Sequence, residues 1–211
     1  MVNKEVFFVG IGAQKAGTTW LADYLENHEQ VYFSPMKELH YFNRNVTKEK
    51  LLLKKLKDSI TKIGGINDLQ KGLTDLEELQ LIFDRLKMIG DPEEYMNYFY
   101  NRKGNSSCFG EITPAYSALN REQFGHIASL HPNTKFIFIL RNPVDRSWSA
   151  HNYEKSDLHF LTRFEEKAFL KRSDYARTIR ELESVIHKNK FIFVFMNSYF
   201  LYRQLKRSVS F

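Results

Sequence analysis

At 211 residues the chain fits one domain, and its 43% apolar and 15% aromatic content can fill a sizeable core. The formal net charge, 31 − 25 = +6, favours an anionic ligand without choosing among nucleotide, sulfated glycan, nucleic acid and membrane. The single cysteine, Cys108, excludes an internal disulfide, and no apolar run reaches about 18 residues, so no transmembrane helix is expected.

In chain order, a strand is expected over 6 to 11 and a helix from Thr18 to His28, with Trp20, Leu21, Tyr24, Leu25 and His28 on one stripe. A short strand follows at Val31 to Phe33. Residues 43 to 105 read as a helical insertion between core elements. It holds six lysines between Lys48 and Lys62, read as a solvated face or, alternatively, an acceptor-binding patch. Gly64-Gly65 interrupts it. Thr74-x-x-Glu77 reads as a capping box before Leu76, Leu79, Phe83 and Leu86, and Asp91-Pro92 as a cap with proline at the first helical position. Beyond it come a strand at Cys108 to Glu111, a helix over 119 to 130, a buried strand at 135 to 140 and a helix from Val144 to Tyr153. Tyr175, Ile179, Leu182 and Ile186 share a helical face, and Phe191 to Met196 reads as a last buried strand. Strands alternating with helices predict an α/β fold: one domain, 1–211, with a mainly parallel sheet flanked by helices.

Two loops carry chemistry. Val6 to Val9 leads into Gly10-Ile11-Gly12-Ala13-Gln14-Lys15-Ala16-Gly17-Thr18-Thr19-Trp20, a strand–loop–helix of the phosphate-binding kind. In the triphosphatase pattern the lysine follows the last glycine. Here Thr18 stands there, and the cation has moved into the loop at Lys15. The strand at 135 to 140 ends in Arg141, where a triphosphatase carries an aspartate that helps hold Mg²⁺. An arginine there attracts a second anion. The two strand ends suggest one nucleotide phosphorylated at two positions, with no metal needed. The histidines share no metal-ligand spacing, so no metal site is expected, and no nucleic-acid recognition motif is present.

At these residues the chain resembles the sulfotransferases that use 3′-phosphoadenosine 5′-phosphosulfate (PAPS). Gln14 to Trp20 is similar to their 5′-phosphosulfate loop. Leu140-Arg141-Asn142-Pro143, with Ser149 eight residues after the arginine, is similar to their 3′-phosphate motif. Lys37-Glu38-Leu39-His40-Tyr41-Phe42 resembles the catalytic segment of the heparan-sulfate branch and its bacterial relatives, and Gly110-Glu111-Ile112-Thr113-Pro114-Ala115-Tyr116 is a fourth match in order. The resemblance spans residues 6 to about 153. It implies a P-loop-type fold and sulfuryl transfer from PAPS to a hydroxyl or amine on a sugar, a lipid or another small molecule.

On this resemblance, Lys15 stabilises the bridging oxygen and leaving phosphate. Ala16, Gly17, Thr18 and Thr19 hold the phosphate at a helix N-terminus. Trp20 covers adenine or packs in the core. Arg141 and Ser149 hold the 3′-phosphate. Glu38 is the expected general base, and His40 on the same side of an extended stretch orients it or the acceptor. Glu111 is a second candidate base or a partner for a cation, and Tyr116 an acceptor contact or a core tyrosine. Ile112 stands where some glycan-sulfating relatives carry lysine. The family pattern continues beyond 191 to 196, so the expectation is a C-terminally shortened domain or a minimal variant. No signal-peptide pattern precedes the first strand, which predicts a cytoplasmic protein; the alternative is the soluble part of a membrane-anchored lumenal enzyme. The competing readings are a P-loop kinase or triphosphatase and a non-catalytic nucleotide-binding module.

Overall fold

The computed structural model describes residues 5–44, 46–63, 69–153, 162 and 166–196. Its centre is a five-stranded parallel sheet in the order β2-β3-β1-β4-β5, built from β1 (Val6–Gly12), β2 (Val31–Phe33), β3 (Cys108–Ile112), β4 (Thr134–Leu140) and β5 (Phe191–Phe195). β1 sits between β3 and β4, so every residue from Phe7 to Gly12 is buried. A parallel sheet covered on both faces needs such near-continuous apolar strands. β3 comes so close to β1 that a Cβ on Gly110 would lie 1.9 Å from the Phe8 carbonyl oxygen. Glycine at 110 is a packing requirement.

α1 (Thr18–Glu26) buries Leu21, Ala22 and Leu25. The expected single stripe divides into two. Trp20 and Tyr24 lie 42% and 38% exposed, stack on each other at 5.7 Å, and Tyr24 meets His28. The helix ends at Glu26, with Asn27 as its cap.

The stretch read as an insertion holds α2 (Val46–Ile63), α3 (Leu69–Lys87) and α4 (Pro92–Tyr100). Gly64-Gly65 lies outside the described residues. Thr74 is inside α3 and is not its N-terminal cap, because the helix begins five residues earlier at Leu69. Leu76 and Phe83 of the expected stripe are each 49% exposed, while Ile82 is buried. α4 is no insertion in the packing sense. Its Tyr95, Met96, Tyr98 and Phe99 are all buried, and Tyr95 and Phe99 set their ring edges against Phe7 of the central strand. The Asp91 cap forms as expected: its Oδ1 accepts from the backbone N–H groups of Glu93 (3.0 Å) and Glu94 (3.1 Å). Asp91→Ala should lower stability by about 0.5–2 kcal/mol, read from thermal unfolding.

A 3-10 turn (Pro114–Ala118) follows β3, then α5 (Arg121–Ser129), α6 (Pro143–Tyr153), α7 (Lys167–Lys171) and α8 (Tyr175–Glu183). Asn120 and Gln123 form a capping box on α5. Leu182 and Ile186 are buried, Ile186 just beyond α8, and Tyr175 and Ile179 pack partly buried beside them. The last strand departs from expectation. β5 pairs only with β4 and is half-exposed, with Ile192 38%, Phe193 39% and Phe195 64% exposed. A parallel strand is buried only when covered on both faces, and β5 has a single neighbour among the described residues. No helix of the described residues is long and apolar enough to cross a membrane.

Candidate functional site

β1, β2, β3 and β4 all run in one direction, so the loops that follow them share one edge of the sheet. Parallel α/β sheets bind ligands at this edge. Four expected motifs lie on these four loops.

The loop after β1 turns into α1 at Gly17, whose φ of 88° lies in the left-handed region that glycine adopts without cost. Gly17, the N-cap of α1, has no side chain with which to cap the first turn. The backbone N–H groups of that turn therefore suit an anion, as a phosphate requires. A Cβ on Gly17 would meet only the Met196 side chain, at 3.5 Å. Ala16 is buried beneath the loop, and Thr18 and Thr19 open the helix. Lys15 has φ 65°, and its ammonium lies 3.6 Å from the centroid of the Tyr153 ring.

Arg141 follows the last residue of β4. Its Nη1 donates to the Lys15 carbonyl oxygen at 2.8 Å, so a cation braces the phosphate loop from the side. Arg172 reaches the same loop, donating to Gln14 Oε1 at 2.7 Å. Ser149 is half-buried in α6, which begins at Pro143, two residues after Arg141. Arg146 on α6 is fully buried. It donates to Ser173 Oγ (2.7 Å) and Ser147 Oγ (3.0 Å), and its guanidinium lies 5.1 Å from the Phe169 ring. Asp145 is exposed at the start of α6.

The segment after β2 is not extended. Glu38 (φ 57°) and His40 (φ 54°) both adopt the left-handed region, with buried Leu39 between them. The two side chains still meet, His40 Nε2 lying 3.3 Å from Glu38 Oε2, but a turn brings them together where strand alternation was expected. His40 Nδ1 is 3.0 Å from Asn43 Oδ1, which orients the ring. Lys37 Nζ donates to Thr19 Oγ1 at 3.2 Å and ties this segment to the phosphate loop. Lys15, Glu38 and His40 are the three non-glycine residues with positive φ among those described. Such backbone persists only where the surroundings over-determine it.

Those surroundings centre on Glu111. It is fully buried, and its carboxylate accepts from Thr113 Oγ1 (2.6 Å), Tyr95 OH (2.9 Å), Tyr116 OH (2.9 Å) and the Leu39 backbone N–H (3.2 Å). The Tyr41 N–H donates to Tyr116 OH at 2.8 Å, the His40 N–H to Thr113 Oγ1 at 3.4 Å, Gln123 to the Phe42 carbonyl at 2.9 Å, and Arg85 Nε to the Leu39 carbonyl. Each backbone turn of the Glu38 segment is thus held by a side chain from another element. Burial raises the Glu111 carboxyl above its ordinary range despite its four donors, and raises the Tyr95 and Tyr116 phenols well above theirs. The phenols remain protonated donors. With both oxygens engaged and no exposure, Glu111 is a scaffold for the segment and does not face the cleft as a base would. Tyr116 takes the core role of its two expected ones.

Trp20 faces outward on α1, over a hollow of about 730 Å³ that also borders Tyr24 and His28. Lys15, Glu38 and Arg141 do not line it. A smaller cavity of about 320 Å³ borders Glu38 and His40 directly. Sequence reasoning missed Arg85 and Tyr95. Arg85 had a signal: Ile82 and Met88, three residues to either side, are both buried, so an arginine between them must find a partner inside. Cys108 is buried in β3, which pushes its thiol up to about 12 and leaves it inert.

Comparison with known proteins agrees with this layout. A model of the Sulfotransferase family matches residues 7–194. Membrane-associated sulfotransferase kil1 of Dictyostelium discoideum is 27% identical over 148 residues, which is 69% of this chain and 22% of that protein. Carbohydrate sulfotransferase 15 of Homo sapiens is 26% identical over 170 residues, 76% of this chain and 29% of that one. The chain therefore spans less than a third of either relative. Among solved structures, a sulfotransferase from Alicyclobacillus acidocaldarius superposes with a TM-score of 0.58 at 22% identity, covering 89% of this chain and 72% of that one, which is a likeness of fold.

Proposed function

The chain belongs to the sulfotransferase family, and from that premise we propose that it moves a sulfuryl group from PAPS to a hydroxyl or amine acceptor. The observation that carries this reading is the Arg141–Lys15 contact. A cation at the end of β4 braces a loop that itself carries the displaced lysine, which supports a nucleotide that meets one cation at each of two phosphates. The uncapped start of α1 and the Gly17 turn fit the 5′ side; Arg141 and Ser149 suit the 3′-phosphate.

The donor supplies a sulfuryl group on a phosphosulfate anhydride. Glu38 takes the proton of the acceptor hydroxyl as its oxygen bonds to sulfur and the sulfur–oxygen bond to the phosphate breaks. His40 holds Glu38 in place. Lys15 offsets the charge that grows on the departing phosphate; its flexible ammonium leaves the Tyr153 ring to do so. Ala16, Thr18 and Thr19 present the loop and helix-start N–H groups. Thr19 also ties Lys37, and with it the Glu38 segment, to the phosphate loop. Trp20, next to Thr19, could reach adenine only from its outward position on α1. The acceptor is a sugar, a lipid or another small hydroxyl or amine compound.

Titration calorimetry with 3′-phosphoadenosine 5′-phosphate (PAP), beside ATP with Mg²⁺, tests the donor site. Wild type should bind PAP without metal. Arg141→Ala should weaken that binding about a hundredfold, the worth of two charge-assisted hydrogen bonds. Preference for ATP with Mg²⁺ would return the loop to the kinase or triphosphatase class.

A further inference from the structure

The cavity of about 320 Å³ lies between the Glu38 segment and the helices α2 and α3. Its walls are largely apolar, formed by Met36, Leu39, Leu51 and Leu52. Of the four cations on its border, Arg44 pairs with Glu49 at 2.9 Å, Lys55 with Glu78 at 2.8 Å, and Lys37 donates to Thr19 Oγ1 at 3.2 Å. Arg85 alone has no carboxylate or hydroxyl partner among the described residues. It is 6% exposed, its Nε goes to the Leu39 carbonyl, and its Nη1 is sealed from water with no hydrogen-bond partner. Glu111 and Glu49 act on it only through space, because the Glu111 oxygens are taken by Tyr95, Tyr116, Thr113 and the Leu39 N–H, and Glu49 is taken by Arg44. A buried guanidinium without a carboxylate is costly, and an anion brought by a ligand relieves that cost.

Position adds a constraint. Arg85 holds the carbonyl of Leu39, and Leu39 stands between Glu38 and His40. An anion drawn to Arg85 is therefore close to the base, and the reacting hydroxyl must sit within a few bonds of it. The rest of the ligand meets leucine and methionine. A cavity of this volume is at the small end of small-molecule sites.

We infer that the acceptor is a small amphipathic hydroxy acid, its carboxylate drawn to Arg85, its hydroxyl at Glu38 and its apolar body against Leu51 and Leu52. This rests on the sulfotransferase reading. The hydroxyl oxygen bonds to sulfur, its proton passes to Glu38, and the products are a sulfate monoester and PAP.

The test uses the full chain with PAP bound and three probes: 3-hydroxydecanoate, its methyl ester, and a desulfated heparan tetrasaccharide. Binding is read by calorimetry, and product with PAPS by mass spectrometry. The acid should bind wild type about ten- to hundredfold more tightly than the ester, the usual worth of a hydrogen-bonded charge. Arg85→Gln should erase that difference while PAP affinity stays as in wild type. Leu51→Asp, at a position 61% exposed and so safe for folding, should weaken acid and ester together. If Arg85→Gln does not fold, the acid-to-ester ratio of wild type and the Leu51 variant decide the matter. With PAP binding intact, equal binding of acid and ester, no binding of either, or sulfation of the tetrasaccharide alone overturns this inference and spares the family reading. Failure of wild type to bind PAP overturns both.

Discussion

Glu38→Gln should slow sulfuryl transfer by about 10²–10⁴-fold, the usual contribution of a positioned general base. PAP affinity should stay as in wild type, because the glutamine touches neither the uncapped start of α1 nor Arg141. The substitution keeps the shape of the side chain and its contact with His40, at 3.3 Å in the wild type, so a loss of rate with intact donor binding isolates proton transfer. His40→Ala should cost less, because His40 positions Glu38 and is itself held by Asn43. Single-turnover rates and PAP titrations on both variants check the pair. Full activity in Glu38→Gln would remove Glu38 as base. The buried, fully engaged Glu111 could not replace it, so the proton would have to leave by another route.

The second large effect concerns stability. Glu111→Ala should destabilise the fold by about 3–5 kcal/mol, because it strands two tyrosine hydroxyls, a threonine hydroxyl and a backbone N–H that all donate to one carboxylate. In a chain of this size that lowers Tm by roughly 10 °C or more. Activity should fall as well, since the Glu38 segment loses the acceptor for Leu39 N–H. Glu111→Gln separates charge from shape. Burial raises the carboxyl in the folded protein above its ordinary 4.5. The folded state therefore holds the proton more tightly than the unfolded one. Its stabilising contribution is complete below the unfolded value and is lost as pH rises through the raised folded value. Urea unfolding from about pH 4 to pH 8 should show wild type losing stability relative to the glutamine variant as pH rises. A relative gain with rising pH would mean that the four donors outweigh burial.

Much of this was legible in the chain. Parallel strands buried on both faces must be apolar throughout, and the expected strands at 6–11, 108–111 and 135–140 each fall within one residue of those formed, 6–12, 108–112 and 134–140. Caps are equally local, and Asp91 holds its helix as Pro92 beside it predicts. A phosphate loop needs only its own glycines and lysine in order, so Lys15 and Gly17 were visible from spacing. Thr74 misled because a capping box and a mid-helix threonine look alike when the start of the helix lies upstream.

Tertiary structure decided the rest, because the deciding contacts join residues far apart in sequence. Glu38 and His40 meet through a turn, and that turn exists because Arg85, Glu111, Thr113, Tyr116 and Gln123 each grip its backbone from separations of 46 to 81 residues. No period or propensity encodes those distances. The same holds for α4, which periodicity could not distinguish from an inserted helix until Tyr95 and Phe99 met Phe7 under the sheet. The sequence by itself determined the strands, the Asp91 cap and the order of the phosphate-binding motifs, because each depends on neighbours within a few residues. Only the folded chain decided which glutamate faces the cleft and which is sealed in the core, because burial is a property of everything packed around a side chain.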